Sequence, residues 1–377
     1  MDLFAIVFSS ILTTLLVFIT FRLYRSLQLF RIRKNYTAAI SAPSVSVCIP
    51  ARNETHAMTQ CLERVLASDY RKLEIIVYDD SSADDTSILV RSFAHAGVRF
   101  VAGGELPDGW LGKNHALEVL AREASGTYVV FMDVDTYITP TTISQMVGYI
   151  MTEDAEMVSV IPGRSDTGRG SVLFGHLRYF WELVFSTKAH PASSSSFWIT
   201  KRHALLETIG GFANFKDAVA PESVLAGIVS ASNYRCLVAN ATLGVTYEKK
   251  WSSQVETSYR LLYPKVGGVW WKGCLAIIGL LILNSPIVVL LSGFFIGWDL
   301  VHLMALWMLL AFMAMYAVYT SHVWRTNWWL GGFLWPIIIF QELILFGRSM
   351  YGYMRHTITW KGRPVTPNVL PMSRVVK

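Results

Sequence analysis

The sequence predicts an α/β domain with a mostly parallel sheet, flanked by apolar helices that belong in a membrane. Three observations carry this. Strand-like and helix-like segments alternate from about Val45 to Thr246, as in parallel sheets with helices on both faces. Within that span, Val129-Val130-Phe131-Met132-Asp133-Val134-Asp135 reads as a buried strand that runs out into two carboxylates. Of 377 residues, 53% are hydrophobic, and they cluster towards the two ends, as in a membrane protein with a soluble part.

In chain order, 3–21 is almost wholly apolar and long enough to cross a bilayer. No basic stretch precedes it and no small-residue cleavage motif follows, so it reads as an anchor. Asp2 lies before it and Arg22, Arg25, Arg31, Arg33 and Lys34 after it. The positive-inside rule then puts the following domain in the cytoplasm. The expected layout is an anchor at 1–25, a cytoplasmic domain at 44–250, an interfacial segment at 251–271, apolar helices at 272–347 and a basic cytoplasmic tail at 348–377.

Inside the α/β span, strands are expected at 45–50, 73–78 and 98–101. A helix capped by Asn53 should run to about Ser68, with further helices at 86–96 and 114–124. Leu173, Phe174, Leu177, Phe180, Trp181, Val184 and Phe185 share a helix face. That face is either ordinary core or a surface lying on the membrane. Residues 193–196, all serine, read as a flexible polar loop.

Stretches 274–298, 300–319 and 328–346 are further membrane candidates, edged by tryptophans. A tail with Arg348, Arg355, Lys361, Arg363, Arg374 and Lys377 belongs on the cytoplasmic side. The C-terminal crossings should therefore be even in number. The stretch 328–346, weakened by Pro336, Gln341 and Glu342, is the one expected to re-enter or lie in the interface. The net charge of +6 gathers beside the apolar segments, which suits anionic lipid rather than nucleic acid. Four cysteines without paired spacing suit a reducing compartment.

Asp133 and Asp135, two apart on a strand, point to one face. Like charges there repel unless a cation lies between them, and oxygen ligands suit Mg²⁺ or Mn²⁺. The alternative is two solvated aspartates in a turn. Asp79 and Asp80 end another strand, where a carboxylate can accept from a base imide or a ribose hydroxyl. Asp84 or Asp85 serves as a helix cap. Gly112-Lys113-Asn114-His115 opens a helix whose N-terminus attracts anions, with Lys113 adding charge. His115 reads as an ordinary helix residue.

The ordered set Pro50-Ala51-Arg52-Asn53-Glu54, Asp79-Asp80, Lys113 and Asp133-x-Asp135 resembles the family 2 glycosyltransferases, with their Rossmann-like GT-A fold. The resemblance covers about 44–250. The segment 106–113 is similar to the membrane-anchored branch that glycosylates lipids, including carotenoid- and hopanoid-associated members. It implies a nucleotide-sugar donor, usually UDP-linked. Asp80 with Asp79 would contact the nucleoside, Pro50, Ala51 and Glu54 would line its pocket, and Asp133 and Asp135 would hold a metal on the diphosphate. The family's general base follows a Gly-Gly-Phe segment, here Gly210-Gly211-Phe212. Glu222 falls where the Asp of the usual Glu-Asp pair would be, with Asp217 second. Glu222 can equally be favourable charge in a helix's first turn behind Pro221.

Gln254-Val-Glu-Thr-Ser258 lacks the Arg-Trp of the processive motif, which implies transfer of a single sugar. Trp251, Tyr259 and Arg260 are expected on the acceptor side. So are Trp360 and Arg363, from a Trp-basic-Gly-Arg element that can otherwise clamp anionic headgroups. The sequence reading is a multi-pass, metal-dependent, inverting glycosyltransferase acting on a membrane lipid. The alternatives are a polyprenyl-phosphate sugar synthase, whose ionised acceptor needs no base, and a transporter with a nucleotide-sensing domain. Of the groups in the apolar stretches Glu342 stands nearly alone, which disfavours a conduction path.

Overall fold

The computed structural model describes residues 3–32, 36, 42–165, 177–188, 190–229, 233–239, 243–324 and 326–365. They divide into two units. One comprises 30–163, 186–248 and 361–377, the other 1–29, 164–185 and 249–360.

The strands, in order, are β1 (Val45–Ala51), β2 (Leu73–Asp79), β3 (Val98–Ala102), β4 (Tyr128–Met132), β5 (Thr136–Tyr137), β6 (Met157–Ile161), β7 (Gly163–Arg164), β8 (Phe197–Lys201), β9 (Tyr234–Val238), β10 (Thr246–Tyr247), β11 (Thr359–Trp360) and β12 (Arg363–Pro364). The first unit is built on a seven-stranded sheet in the order β3-β2-β1-β4-β8-β6-β9. All its pairings are parallel except those of β8, which runs antiparallel to both β4 and β6. Every residue of β4 is buried, as its unbroken apolar run requires of a strand covered on both faces. The helix Thr55–Leu66 buries Ala57, Met58, Cys61, Leu62 and Val65, a stripe at three- and four-residue spacing that seals one face. Because β1, β2 and β4 are parallel, their C-terminal ends share one edge of the sheet, where open α/β sheets bind ligands.

Two local expectations are corrected. Asn53 does not cap the helix. It sits in the left-handed region at φ 53°, and its Oδ1 accepts from the Ala83 amide at 2.8 Å. The helix expected over 86–96 ends at Ser92, and a single 3₁₀ turn follows at Ala94–Ala96. Gly97 stops that turn at φ 86°, a conformation glycine adopts without strain.

The second unit is helical. Three of its helices are long and apolar enough to span a membrane: Ala5–Leu29, Trp270–Ile296 and Leu300–Val323. The stretch 328–346 forms two pieces, Trp328–Phe333 and a longer helix from Trp335 to Met354, joined at Leu334. Pro286 lies within a continuous helix. The Asn284 side chain there donates to the Leu280 carbonyl at 2.8 Å and the Ile339 carbonyl at 3.4 Å.

The aromatic face around 180 proves to be core within this unit. Phe180 is fully buried among Tyr316, Tyr319 and Trp335, with ring centroids 5.4–5.9 Å away. Trp181 donates to the buried Glu342 carboxylate at 3.0 Å. Phe185, at the helix end, is 58% exposed. Leu173 and Phe174 lie outside the described residues.

Candidate functional site

The two acids that end β2 have different duties. Asp79 accepts from the Ser82 and Ser87 hydroxyls, one on each carboxylate oxygen. Its carbonyl takes the Ser81 and Gly103 amides, each at 2.8 Å. Asp79 therefore fixes the loop. Asp80 is 4% exposed and meets cations. Arg363 Nη1 donates to its Oδ1 at 3.0 Å and its Oδ2 at 2.8 Å, and Arg52 Nη1 lies 3.8 Å from Oδ2. The Asp80 amide donates to the Ala51 carbonyl at 2.8 Å, so the ends of β1 and β2 are tied. Pro50 is half-buried in β1 and Ala51 buried at its end.

Glu54 is paired with Lys361, whose ammonium also donates to the Arg52 carbonyl at 2.5 Å. Burial pushes the Glu54 carboxyl above its ordinary value, and the Lys361 ammonium pulls it back part of the way. Asp84 accepts from the Thr55 amide at 3.2 Å and from the Thr86 amide at 3.1 Å. It thus serves as the structural acid expected in that run.

On β4's side, Lys113 forms an ion pair with Asp133 Oδ1, and the Ser195 hydroxyl donates to Oδ2 at 3.2 Å. Lys113 lies in the first turn of the helix Gly112–Glu123. The next residue, Asn114, is 1% exposed. Its amide donates to the carbonyls of Phe215 at 3.2 Å, Lys216 at 2.9 Å and Ala218 at 2.9 Å. One helix end thereby holds both the D-x-D carboxylate and the loop that carries Asp217.

That loop is entered through Gly211, at φ 74°. A Cβ there would sit 2.3 Å from Glu118 Oε2, and Glu118 accepts the Phe212 amide at 2.7 Å. Glu222 is 2% exposed, in the first turn of the helix Pro221–Ile228 with Pro221 at its start. Asp217 is half-buried.

The strand geometry expected for the pair is corrected: β4 ends at Met132, and Asp133 and Asp135 lie in the turn beyond it, closed by the Thr136 amide on the Asp133 carbonyl at 3.0 Å. Two carboxylates in such a turn fit Mg²⁺ or Mn²⁺, which keep water and other oxygen donors as their remaining ligands. Asp133 and Asp135 are the residues that would hold it. Among the described residues no group of three or more acids, histidines or cysteines is arranged to hold a metal alone.

The residues expected at the acceptor divide between the units. In the helical unit, the Arg260 guanidinium lies 5.0 Å from the Trp360 ring centroid. The Tyr259 hydroxyl accepts from Arg348 at 3.1 Å, and Trp251, at the start of the same helix as these two, is half exposed. Arg363, expected on the acceptor side, lies on Asp80, the expected nucleoside contact, carried there by the turn at Lys361-Gly362. The serine run is corrected. Ser193, Ser194 and Ser196 are buried, since the Ser194 amide donates to Ser159 Oγ at 2.8 Å. Ser195, Asn114, Arg52 and Lys361 stood within motifs quoted from sequence but were given no role of their own there. Only the position of Asn114 beside Lys113 offered a signal.

Residues 46–205 match the profile of glycosyl transferase family 2. The chain is 30% identical over 109 residues to the UDP-Glc:alpha-D-GlcNAc-diphosphoundecaprenol beta-1,3-glucosyltransferase WfaP of Escherichia coli, covering 29% of this chain and 42% of that protein. It is 35% identical over 92 residues to the 4,4'-diaponeurosporenoate glycosyltransferase of Staphylococcus haemolyticus, covering 24% of each. The match thus spans less than half the length of these curated relatives. Among solved structures, the mannosyltransferase PcManGT of Pyrobaculum calidifontis, in complex with GDP-Man and Mn²⁺, superposes with a TM-score of 0.55 at 20% identity, over 92% of this chain and 97% of that one. Sheet order and profile agree: residues 46–205 match glycosyl transferase family 2, and the fold is of the GT-A kind.

Proposed function

We propose that the protein moves a single sugar, with inversion, from a nucleotide-sugar, UDP-linked by preference, to a membrane lipid at the cytoplasmic face. The observation that carries this is the helix end at Gly112–Asn114. Lys113 meets Asp133 there, and Asn114 grips the loop that leads to Asp217 and Glu222. A diphosphate seated at that end gains the Lys113 ammonium and the helix N-terminus as charge develops on it. A divalent cation bound by Asp133 and Asp135 would supply Lewis-acid stabilisation of the same charge. Glu222 takes the proton of the attacking acceptor hydroxyl. Candidate spans Ala5–Leu29, Trp270–Ile296 and Leu300–Val323, with the lipid-linked acceptor in the name of one relative, support an acceptor in the bilayer.

The test uses full-length protein in detergent with Mn²⁺, UDP-sugars and extracted membrane lipids. A glycolipid one sugar heavier, seen by mass spectrometry, is the expected product. Donor turnover that succeeds only with a polyprenyl phosphate would move the protein to the sugar-phosphate synthase reading, and absence of any donor turnover would refute both.

A further inference from the structure

Lys361 and Gly362 are both in the left-handed region, at φ 45° and φ 79°. Two such residues in succession make a tight reversal, and a lysine holds that conformation only where its surroundings fix it. Here Glu54 and the Arg52 carbonyl fix it. The reversal delivers Arg363 to Asp80, and Val365, 5% exposed, packs the segment down. A Cβ on Gly112 would fall 2.7 Å from Arg363 Nη1 and 2.7 Å from Asp80 Oδ2. The guanidinium therefore packs against the first residue of the Lys113 helix, in space that glycine leaves open.

A cation at a helix N-terminus is poorly placed on its own account, because the helix dipole favours an anion there. Arg363 commits only Nη1 to Asp80. Its Nε and Nη2 have no partner among the described residues. Arg52 Nε, likewise, is buried without a partner among them. Arg52 Nη1 donates to the Asp80 carbonyl and to the Ser81 carbonyl at 3.4 Å, so of the two guanidiniums at Asp80 it is Arg363 that keeps N–H groups for a ligand at the sheet edge.

We propose that Arg363 is a donor-binding residue, and that Lys361 is the positioning residue that straps it across the nucleotide end of the site. The ligand is the donor's nucleoside diphosphate, whose phosphate or base-carbonyl oxygens take the open N–H groups of the guanidinium fork. The inference deepens the donor reading above and rests on it.

The experiment measures UDP and GDP binding to the full-length protein with Mn²⁺ by calorimetry, with the lipid-acceptor KM measured in parallel. R363A should weaken nucleoside diphosphate binding at least tenfold and leave the acceptor KM within twofold. R363K should recover little, since an ammonium lacks the fork. K361A should weaken binding less. In the wild type, bound UDP with Mn²⁺ should slow tryptic cleavage at Lys361-Gly362, a readout that needs no variant to fold; the bond after Arg363 precedes Pro364 and resists trypsin. Unchanged nucleotide affinity in a folded R363A, with a raised acceptor KM, would return Arg363 to the acceptor side and overturn the proposal, as would nucleotide-independent cleavage. Failure of the wild type to bind either nucleotide would instead overturn the donor reading itself.

Discussion

The Lys113 ammonium is paired with Asp133 Oδ1, with 16% and 24% of the two side chains exposed. A partly buried charge pair of this kind holds the lysine at the sheet edge, and in the proposed reaction that is where the donor's diphosphate would meet it. Lys113→Ala should lower kcat by about 100-fold, the loss seen when one charge-stabilising donor is removed. The check is steady-state kinetics with donor varied at saturating acceptor. A loss confined to donor KM would show that Lys113 aids binding alone.

Removal of metal by chelation should abolish transfer, and Mn²⁺ or Mg²⁺ should restore it. Asp133 already serves Lys113 and Ser195. Asp135→Asn should therefore shift the Mn²⁺ concentration for half-activity more than Ser195→Ala does. Metal titrations of the two variants read this directly, and equal shifts would count against Asp135 as the principal ligand.

Glu222→Gln should cut turnover by about 10²- to 10⁴-fold, the usual worth of a general base, while nucleotide binding by calorimetry stays within twofold. Asp217→Asn should be the milder change. The reverse ranking would transfer the role to Asp217.

Gly211→Ala should destabilise the α/β domain by about 3 kcal/mol. The left-handed φ costs an L-residue about 1–2 kcal/mol, and the new methyl must displace the Glu118 carboxylate that holds the Phe212 amide. Thermal melting in detergent measures the loss. Gly97→Ala has the same φ penalty but open space around it, so it should cost only the backbone part.

Asp84 supplies a pH dependence with a definite sign. Burial acts to raise its pKa, yet hydrogen bonds from Thr55 and Thr86 outweigh burial and bring it down to about 2. Its carboxylate is favoured in the folded state, so its contribution is fully present above about pH 4 and disappears as pH falls towards 2. The position is exposed, so Asp84→Ala should cost no more than about 1 kcal/mol at pH 7. That difference should shrink as melts are repeated down to pH 3. A constant difference across that range would remove ionisation from the account.

The parallel half of the sheet was legible because its signals are local. β1, β2 and β3 are apolar runs followed by turn chemistry, and each falls within a residue of its sequence boundary, whereas β4 stops at Met132, three residues short of the expected end at Asp135. The D-x-D pair and Lys113 were legible for the same reason. What escaped depends on distant partners. A serine run is polar in sequence, yet Ser159 buries it. Nothing near Lys361 or Arg363 distinguishes a cation bound for lipid from one bound for Glu54 and Asp80, because those carboxylates lie some 300 positions earlier in the chain. Asn114 escaped because its three acceptors are main-chain oxygens, which carry no residue code.

The antiparallel β8 is wedged between β4 and β6, and it comes later in the chain than both. β1, β2, β3 and β4 can pair as they leave the ribosome, but β4 keeps an open edge until Phe197–Lys201 has been synthesised and threaded in. Such late closure of a long loop is slow and leaves sticky strand surface uncovered in the meantime. Nascent chains halted before residue 197 should therefore lean on chaperones, and those extended past 201 should be released from them.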